Sequence, residues 1–297
     1  MHGPTDPRRG SADFKPTWSR PLNTIEAIVL GTIQGLTEFL PVSSSGHLVL
    51  FQNLFGMQEP ELLFDICLHV GTLAAVLIVF YREILEILTA LVQFPGRLKS
   101  AGGLRNLCAG DKSIRMALLI VVGSIPTAVI GLLFKEITDQ LFGSIAIVGC
   151  MLLVTGTLLW LTRRIRSQGR PIERTLLKEA LIIGIVQGLA ILPGISRSGS
   201  TISVALFLGV DRKVAGRYSF LLSIPAIVGA LVLSLDTPEL QTAIPIGTII
   251  AGSMISAVVG WLALVVLLRV VDRGQLHRFA PYCWVVGVLT LVIAWIA

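Results

Sequence analysis

Two stretches of this sequence share one unusual design: EAIVLGTIQGLTEFLPVSSSG, residues 26–46, and EALIIGIVQGLAILPGISRSG, residues 179–199. They align without a gap, and the matches include polar residues and glycines as well as apolar ones. Chance similarity between apolar helices would not place glutamine, glycine and serine at the same positions. We therefore infer an internal repeat, with these identical pairs: Glu26/Glu179, Ala27/Ala180, Gly31/Gly184, Gln34/Gln187, Gly35/Gly188, Leu36/Leu189, Ser43/Ser196, Ser45/Ser198 and Gly46/Gly199.

Each copy of the repeat is interrupted in the middle. A short apolar helix runs into Leu-Pro and a segment rich in serine and glycine, and a second short apolar piece follows at 48–55 or 202–210. Proline removes a backbone donor and glycine permits turns, so the helix should end there. Broken backbone at membrane depth survives only where protein or water satisfies it, and paired interruptions point to a buried site. The repeat predicts two re-entrant helical hairpins, residues 24–55 and 179–210.

The composition places these hairpins in a membrane. Hydrophobic residues make up 54% of the 297-residue chain and charged residues only 14%, with a mean hydropathy of +0.81. A helix of about 20 apolar residues crosses the hydrocarbon core. We predict an all-α polytopic membrane protein with an inverted repeat and about six transmembrane helices, near residues 66–81, 116–134, 144–162, 218–235, 246–268 and 281–297.

The basic residues fix the predicted topology. The net charge of +6 comes largely from short loops between apolar segments, which is typical of cytoplasmic loops and excludes a nucleic-acid partner. With the loop 163–178 inside, the basic residues of 212–217 and 269–278 also lie inside only if the second hairpin returns to its side of entry. An inverted first repeat then brings the first hairpin in from outside, at the cost of placing a basic N-terminal tail there.

The expected domain organisation follows from the repeat. Residues 1–22 would form a flexible tail, and 23–297 a single integral membrane domain. Repeat 1 would span about 23–135 and repeat 2 about 175–297. The tips of the two hairpins would meet near the middle of the membrane.

The side chains at the two predicted tips could carry chemistry. An ionisable group at membrane depth costs at least ~2.5–3.5 kcal/mol, so Glu38 and Arg197 indicate function. A structural Glu38–Arg197 pair that locks the hairpins is the alternative, but it leaves the surrounding hydroxyl groups unexplained. The first tip carries Glu38, Ser43, Ser44, Ser45 and His47, and the second carries PGISRSGST, residues 193–201.

This set of residues suits a phosphate group. Arginine presents a planar fork to phosphate oxygens, and hydroxyls and helix-start N–H groups add donors. A carboxylate would repel the phosphate unless a hard cation, Mg²⁺ or Ca²⁺, bridges the two. His47 can transfer a proton, and a neighbouring serine can act as nucleophile. We interpret the site as one for a lipid phosphate or diphosphate.

The stretches at the two tips resemble those of a known protein family. QGLTEFLPVSSSGH and PGISRSGST closely resemble the signature regions of the bacterial undecaprenyl-diphosphate phosphatases of the bacitracin-resistance type. Residues 64–80 and 217–231 match further segments of that family, so the resemblance covers nearly the whole chain after residue 22. It implies hydrolysis of undecaprenyl diphosphate to the monophosphate, which recycles the carrier lipid for peptidoglycan synthesis. It also implies a place in the bacterial inner membrane, with the active site open to the periplasmic side.

The resemblance also implies roles for individual residues. Glu38 matches the second acid of the family motif (E/Q)xxxE, and Gln34 fills the first position with an amide. Metal binding should therefore rely on Glu38 and on oxygens of the substrate diphosphate. Ser44 and His47 match the catalytic serine and histidine, and Arg197 matches the arginine of PGxSRSxxT. The expected substrate-binding residues are Gln34, Ser43, Ser45, Gly194, Ser196, Ser198 and Thr201.

Several alternatives remain at the level of sequence. A second superfamily of membrane lipid phosphatases requires a histidine six residues after its arginine, where this chain has Ser203, so that interpretation fails. A transporter or flippase of a phosphorylated polyprenyl lipid would share the broken helices. The attacking group is Ser44, His47 or water, and a homo-oligomer is left open. We interpret His69 as a helix-end residue and Tyr218 and Tyr282 as interface anchors.

Overall fold

A computed structural model describes residues 22–54, 62–134, 141–165, 169–234 and 244–296, so the predicted tail up to residue 21 lies outside the described residues. Within these ranges the regular structure is helical, apart from one isolated β-bridge between Arg170 and Val210. The α-helices, in chain order, are α1 (Thr24–Phe39), α2 (Ser44–Leu54), α3 (Leu62–Val79), α4 (Tyr81–Val92), α5 (Phe94–Ala101), α6 (Leu104–Gly110), α7 (Lys112–Phe134), α8 (Ile145–Leu161), α9 (Leu177–Leu189), α10 (Arg197–Phe207), α11 (Arg212–Ser234), α12 (Ile246–Asp272) and α13 (Ala280–Ile296).

Five of the described helices are long and apolar enough to cross a membrane: α7, α8, α11, α12 and α13. The spans of α8 and α13 include a few adjoining residues, and the span of α11 ends one residue before the helix does. The sixth predicted span corresponds to α3, which passes the same test together with α4, from which it is bent by 77°. The prediction of an all-α polytopic membrane protein with about six spans is therefore confirmed.

The first broken segment forms a helical hairpin. α1 begins with a reciprocal cap, in which Asn23 Oδ1 accepts from the Glu26 N–H and Glu26 accepts from the Asn23 N–H, at 2.9 and 3.0 Å. It ends just before Pro41, and α2 begins at Ser44 and packs back against α1. With 16 and 11 residues, at 1.5 Å per residue, each helix is shorter than the hydrocarbon core.

The second broken segment repeats this pattern. Glu179 caps α9 by accepting from the N–H of Leu176 at 2.7 Å. After Pro193 the chain turns, and Ser196 caps α10 by accepting from the N–H of Gly199 at 3.1 Å. α10 then packs back against α9, and the two helices have only 13 and 11 residues.

Each hairpin packs along a long helix from the other half of the chain. Gly31 and Gly35 of α1 meet Gly252 and Gly260 of α12, so α1 and α12 run parallel. A Cβ on Gly31 would lie 2.3 Å from the Gly252 carbonyl oxygen, which explains the requirement for glycine. Small residues permit such close backbone approach between membrane helices.

The equivalent glycines of the second repeat make the matching contact. Gly184 meets Gly123 of α7 and Gly188 meets Ile130, so α9 and α7 also run parallel. A Cβ on Gly184 would lie only 2.0 Å from the carbonyl oxygen of Gly123. Each hairpin thus packs against a long helix of the other repeat. This reciprocal packing is expected if a two-fold axis relates the two repeats. The inverted orientation of the repeats itself stays a prediction.

The helices α8 and α13 form an antiparallel pair that reaches both hairpin tips. Gly149 packs against Gly287, and further along the pair Gly156 packs against Ala280. On the first tip, the thiol of Cys283 donates to the carbonyl oxygen of Pro41 at 3.4 Å. This pair therefore supports the region where the two hairpins meet.

Candidate active site

The tips of the two hairpins touch through backbone and serine hydroxyl groups. Ser43 Oγ accepts from the N–H of Gly194 at 3.1 Å, and Ser198 Oγ donates to the carbonyl oxygen of Phe39 at 2.9 Å. All four residues are buried. The expectation that the tips meet is confirmed by these contacts.

Serine pairs stabilise the turn within each tip. Ser43 Oγ and Ser45 Oγ lie 3.3 Å apart, and the equivalent Ser196 Oγ and Ser198 Oγ lie the same distance apart. In both tips the first serine also accepts from the glycine N–H three residues on. Four of the expected substrate-binding serines are thus engaged with their own tips.

A buried carboxylate lies at the junction of the hairpins. Glu38 is 8% exposed, and its Oε1 forms an ion pair with Nη2 of Arg197 across the two tips. Its Oε2 accepts from Ser44 Oγ at 2.8 Å and from Gln34 Nε2 at 3.1 Å. The structure therefore brings together four residues that the sequence singled out. These partners satisfy both carboxylate oxygens, as a buried charge requires.

Two polar atoms in this cluster are buried and have no hydrogen-bond partner: Nη1 of Arg197, a donor, and Oε1 of Gln34, an acceptor. Buried polar groups are normally paired, so each unpaired atom calls for an explanation. A phosphate oxygen would satisfy the arginine donor, and a hard cation would satisfy the amide oxygen. α2 and α10 also begin at the tips, and helix N-termini favour anions.

The donor set would hold a cation only with help from the substrate. Within the described ranges, no group of three or more histidine, cysteine, aspartate or glutamate side chains could hold a metal ion. Glu38 and the free amide oxygen of Gln34 are oxygen ligands of the kind that Mg²⁺ and Ca²⁺ prefer. They fit a cation whose other ligands come from a diphosphate and water.

His47 lies next to this cluster but turns its ring elsewhere. Its Nδ1 is 2.8 Å from the carbonyl oxygen of Ser43, and its Nε2 is 2.7 Å from the hydroxyl of Tyr282 on α13. The residue is 4% exposed, and neither ring nitrogen bonds Ser44 or Glu38. The interpretation of Tyr282 as an interface anchor missed this hydrogen bond. Tyr282 lies outside the repeated stretches, so nothing in the sequence paired it with His47.

A second histidine lies closer to the carboxylate. His69 Nε2 is 3.9 Å from Glu38 Oε2, while its Nδ1 is 2.8 Å from the carbonyl oxygen of Asp65. Its side chain is 34% exposed, so it lies at the edge of the site. The sequence showed a histidine in an apolar helix, but the helix-end interpretation did not place it beside Glu38.

Two threonines support the second tip through hydrogen bonds. Thr201 is fully buried, and its hydroxyl donates to the carbonyl oxygen of Arg197 at 2.7 Å and contacts Ser219 Oγ at 2.6 Å. Thr155 of α8 donates to the carbonyl oxygen of Gly194 at 2.9 Å and accepts from the N–H of Ser196 at 3.1 Å. The sequence pointed to Thr201 as a substrate ligand and did not point to Thr155 at all.

Comparison with known proteins agrees with this site. The family model described as bacitracin resistance protein BacA matches residues 27–289. The chain is 55% identical over 272 residues to an undecaprenyl-diphosphatase of Desulfatibacillum aliphaticivorans, covering 91% of this chain and 99% of that protein. Undecaprenyl-diphosphatases of Desulfosudis oleivorans and Desulforapulum autotrophicum are 52% and 51% identical, each over 92% of this chain and 99% of its relative. The chain belongs to the BacA family of bacitracin resistance proteins.

Proposed function

We propose that this protein hydrolyses undecaprenyl diphosphate to undecaprenyl phosphate and inorganic phosphate. The names of the relatives and their identity over almost the full chain support this activity. The reaction returns the carrier lipid to peptidoglycan and cell-wall synthesis. It also confers resistance to bacitracin, as the family description indicates.

The observation that carries the proposal is the cluster of Ser44, Glu38 and Arg197. A hydroxyl within hydrogen-bond reach of a carboxylate is the arrangement of an activated nucleophile. On the far side of the carboxylate, Arg197 keeps one nitrogen free for a phosphate oxygen. The cluster therefore supplies both an attacking group and a cation for the charge on the phosphate.

We propose that Ser44 attacks the terminal phosphorus. Its Oγ forms a new P–O bond, its proton passes to Glu38 Oε2, and the bond between phosphorus and the bridging oxygen breaks to release undecaprenyl phosphate. Water then attacks the phosphoserine, releases inorganic phosphate and restores the hydroxyl. Positioning and charge neutralisation supply most of the acceleration in phosphoryl transfer, so Arg197 should matter as much as Ser44.

A divalent cation, Mg²⁺ or Ca²⁺, completes the proposal. Glu38 and the amide oxygen of Gln34 would hold it together with oxygens of the diphosphate. When bound, it would neutralise charge on the substrate and so remove the repulsion between Glu38 and the phosphate. Binding of the diphosphate would follow from this cation and from Arg197, Ser44 and the N–H groups at the tips.

The experiment is phosphate release from undecaprenyl diphosphate by the purified protein in detergent, with and without a chelator. We expect metal-dependent release by the wild type and loss of release in Arg197→Ala. An acid quench during turnover should trap a phosphoserine in the wild type but not in Ser44→Ala. Release without any phosphoserine would replace Ser44 with water as the attacking group. If the folded wild type releases no phosphate with either metal, the enzyme proposal fails and a transporter of the lipid takes its place.

We also propose that the protein lies in the bacterial inner membrane and that the site opens to the periplasm. The basic loops and the short, interrupted hairpin helices support this orientation. Two cysteines test it in a variant that lacks the four native cysteines. A membrane-impermeant maleimide should label Asn23→Cys from outside intact cells and label Lys178→Cys only after lysis. Labelling of both positions from the same side would contradict the inverted arrangement.

A further inference from the structure

The two tips differ in the residue that bonds the turn carbonyl. His47 Nδ1 lies 2.8 Å from the carbonyl oxygen of Ser43. At the equivalent position of the second tip, Ser200 Oγ donates to the carbonyl oxygen of Ser196 at 2.7 Å. A serine hydroxyl is therefore sufficient for this bond. What the imidazole adds is a second nitrogen, and Tyr282 binds that nitrogen.

The hydrogen bonds of His47 fix its tautomer. A carbonyl oxygen only accepts, so Nδ1 must carry a proton, and in the neutral ring Nε2 is then an acceptor. The hydroxyl of Tyr282 therefore donates to Nε2, at 2.7 Å, with the two rings nearly parallel at an interplanar angle of 9°. Because His47 is only 4% exposed, loss of this donor would leave a buried nitrogen unpaired.

The residue that His47 bonds has an unusual backbone conformation. Ser43 has a φ of +70°, which is rare for a residue other than glycine and persists only where the surroundings hold it. Several bonds do so: His47 binds its carbonyl oxygen through Nδ1 and through its backbone N–H, and the hydroxyl of Ser43 accepts from the N–H groups of Gly46 and Gly194 and contacts Ser45 Oγ. The equivalent Ser196 has an ordinary φ of −76°. The first tip thus needs more support than the second.

We propose that Tyr282 is a positioning residue for the hydrolysis, and that it acts through His47 on the turn that carries Ser44. The inference rests on the proposed function. Ser44 directly follows the strained Ser43, and its hydroxyl must meet Glu38, which it contacts at 2.8 Å. A rigid imidazole held at both nitrogens fixes the turn, whereas one held at a single nitrogen can rotate.

The first test is Tyr282→Phe, which removes the hydroxyl and keeps the ring. We expect kcat to fall about tenfold, the effect of roughly one unpaired buried group, with KM within about twofold of the wild-type value. KM should hold because Tyr282 contacts His47 and none of the groups proposed to bind the diphosphate. A kcat equal to that of the wild type would overturn the proposal.

A control is Tyr218→Phe, which removes a tyrosine hydroxyl elsewhere in the fold. Tyr218 is 2% exposed, whereas Tyr282 is 47% exposed, and the hydroxyl of Tyr218 donates to the carbonyl oxygen of Leu119 at 2.8 Å, on helices that hold neither Ser44 nor His47. We expect this variant to melt at a lower temperature and to keep the kcat of the wild type. If both tyrosine variants lowered kcat alike, the effect would be one of general stability and Tyr282 would have no specific role.

A double variant tests whether Tyr282 acts through His47. His47→Ser copies the residue of the second tip, so it keeps the bond to the turn and removes Nε2. In that background Tyr282→Phe should change neither kcat nor the melting temperature further. A second tenfold loss in kcat, or an equal second drop in melting temperature, would show that Tyr282 acts elsewhere. A wild type that releases no phosphate refutes the proposed function, whereas a Tyr282→Phe variant with the kcat of the wild type refutes only the positioning role.

Discussion

The two hairpin tips share their turn chemistry and differ in the residues that could react. Ser43 and Ser196 each accept from the glycine N–H three residues on, and each contacts the serine two residues on. Among the positions that differ, those that involve an ionisable side chain are the equivalent pairs Glu38/Ile191, Ser44/Arg197 and His47/Ser200. At these pairs the first tip has a carboxylate, a hydroxyl and an imidazole, and the second tip has a cation.

The tips also differ in the helix that supports them. The first tip is held by α13, through Tyr282 and Cys283, and the second by α8, through Thr155. α8 and α13 form one antiparallel pair. Both tips therefore contact the same pair of helices, and this shared contact supports the separation between Ser44 and Arg197.

The largest effect on activity should come from replacing Arg197, a position at which the two tips differ. Arg197→Ser gives the second tip the residue that the first tip has at the equivalent position, and it leaves Glu38 without its cation. We expect phosphate release to fall about 10³-fold or more, since an arginine that neutralises phosphoryl charge contributes that much. The measurement is kcat/KM for the lipid diphosphate in detergent.

The control for this prediction is Arg197→Lys, which keeps the charge but loses the planar fork. It should retain the fold and part of the activity, so that Arg197→Ser, Arg197→Lys and wild type form a graded series. Because an unpaired buried Glu38 is destabilising, Arg197→Ser should also be combined with Glu38→Gln to restore the fold. If a well-folded Arg197→Ser hydrolysed the lipid at the wild-type rate, the division of roles between the tips would be wrong.

The second effect concerns the equivalent glycines Gly31 and Gly184, which let each hairpin approach a long helix. An added Cβ would lie 2.3 and 2.0 Å from a backbone carbonyl oxygen, and backbone cannot move aside cheaply. We expect Gly31→Ala and Gly184→Ala each to lower the free energy of unfolding by about 3 kcal/mol or more. Denaturation in detergent measures this, and the two losses should be similar if the repeats pack alike.

Gly131→Ala is the matched control for Gly184→Ala. Gly131 lies in the last turn of α7, the helix that Gly184 packs against, but a Cβ there would meet nothing within 4 Å. Replacing such a helical glycine with alanine should be neutral or stabilising, by up to about 1 kcal/mol. A Gly184→Ala protein as stable as the control would contradict the close packing.

The hairpins could be predicted from the sequence because each helix is ended by residues that are adjacent in the chain. Leu-Pro followed by serine and glycine ends a helix wherever it occurs, and shared Gln, Gly and Ser positions are visible without a structure. At the level of sequence a Glu38–Arg197 pair is only the alternative to a functional role, and the structure shows that the pair forms where the two tips meet.

The sequence could not predict the contacts that depend on which helices are neighbours. Tyr282 and Thr155 lie outside the repeated stretches, and both reach the tips only because α13 and α8 pack against them. His69 was visible as a polar residue in an apolar helix, but its approach to Glu38 depends on how α3 packs beside α1. For His47 the residue type suggested proton transfer, whereas its bonds show a ring held at both nitrogens.

A third, smaller effect should follow from Thr155→Val, which removes the support of the second tip. The carbonyl oxygen of Gly194 and the N–H of Ser196 would both lose their partner in a buried region. We expect a loss of about 2 kcal/mol in the free energy of unfolding. Thr155→Ser keeps the hydroxyl and should recover most of that loss. Equal stability of the valine and serine variants would mean that the hydroxyl does not hold the tip.

The smallest expected effect is a difference in stability between variants of two equivalent serines, Ser45 and Ser198. Ser198 donates across the tips to the carbonyl oxygen of Phe39, whereas the hydroxyl of Ser45 contacts only that of Ser43 within its own tip. Ser198→Ala should therefore lower the free energy of unfolding by about 1 kcal/mol, and Ser45→Ala by less, although both change the same repeat position. Chemical denaturation of the two variants in one detergent gives the difference. If Ser45→Ala cost as much as Ser198→Ala, the bond from Ser198 to Phe39 would add nothing to the contact between the tips, which would then rest on the Ser43–Gly194 bond and the Glu38–Arg197 ion pair.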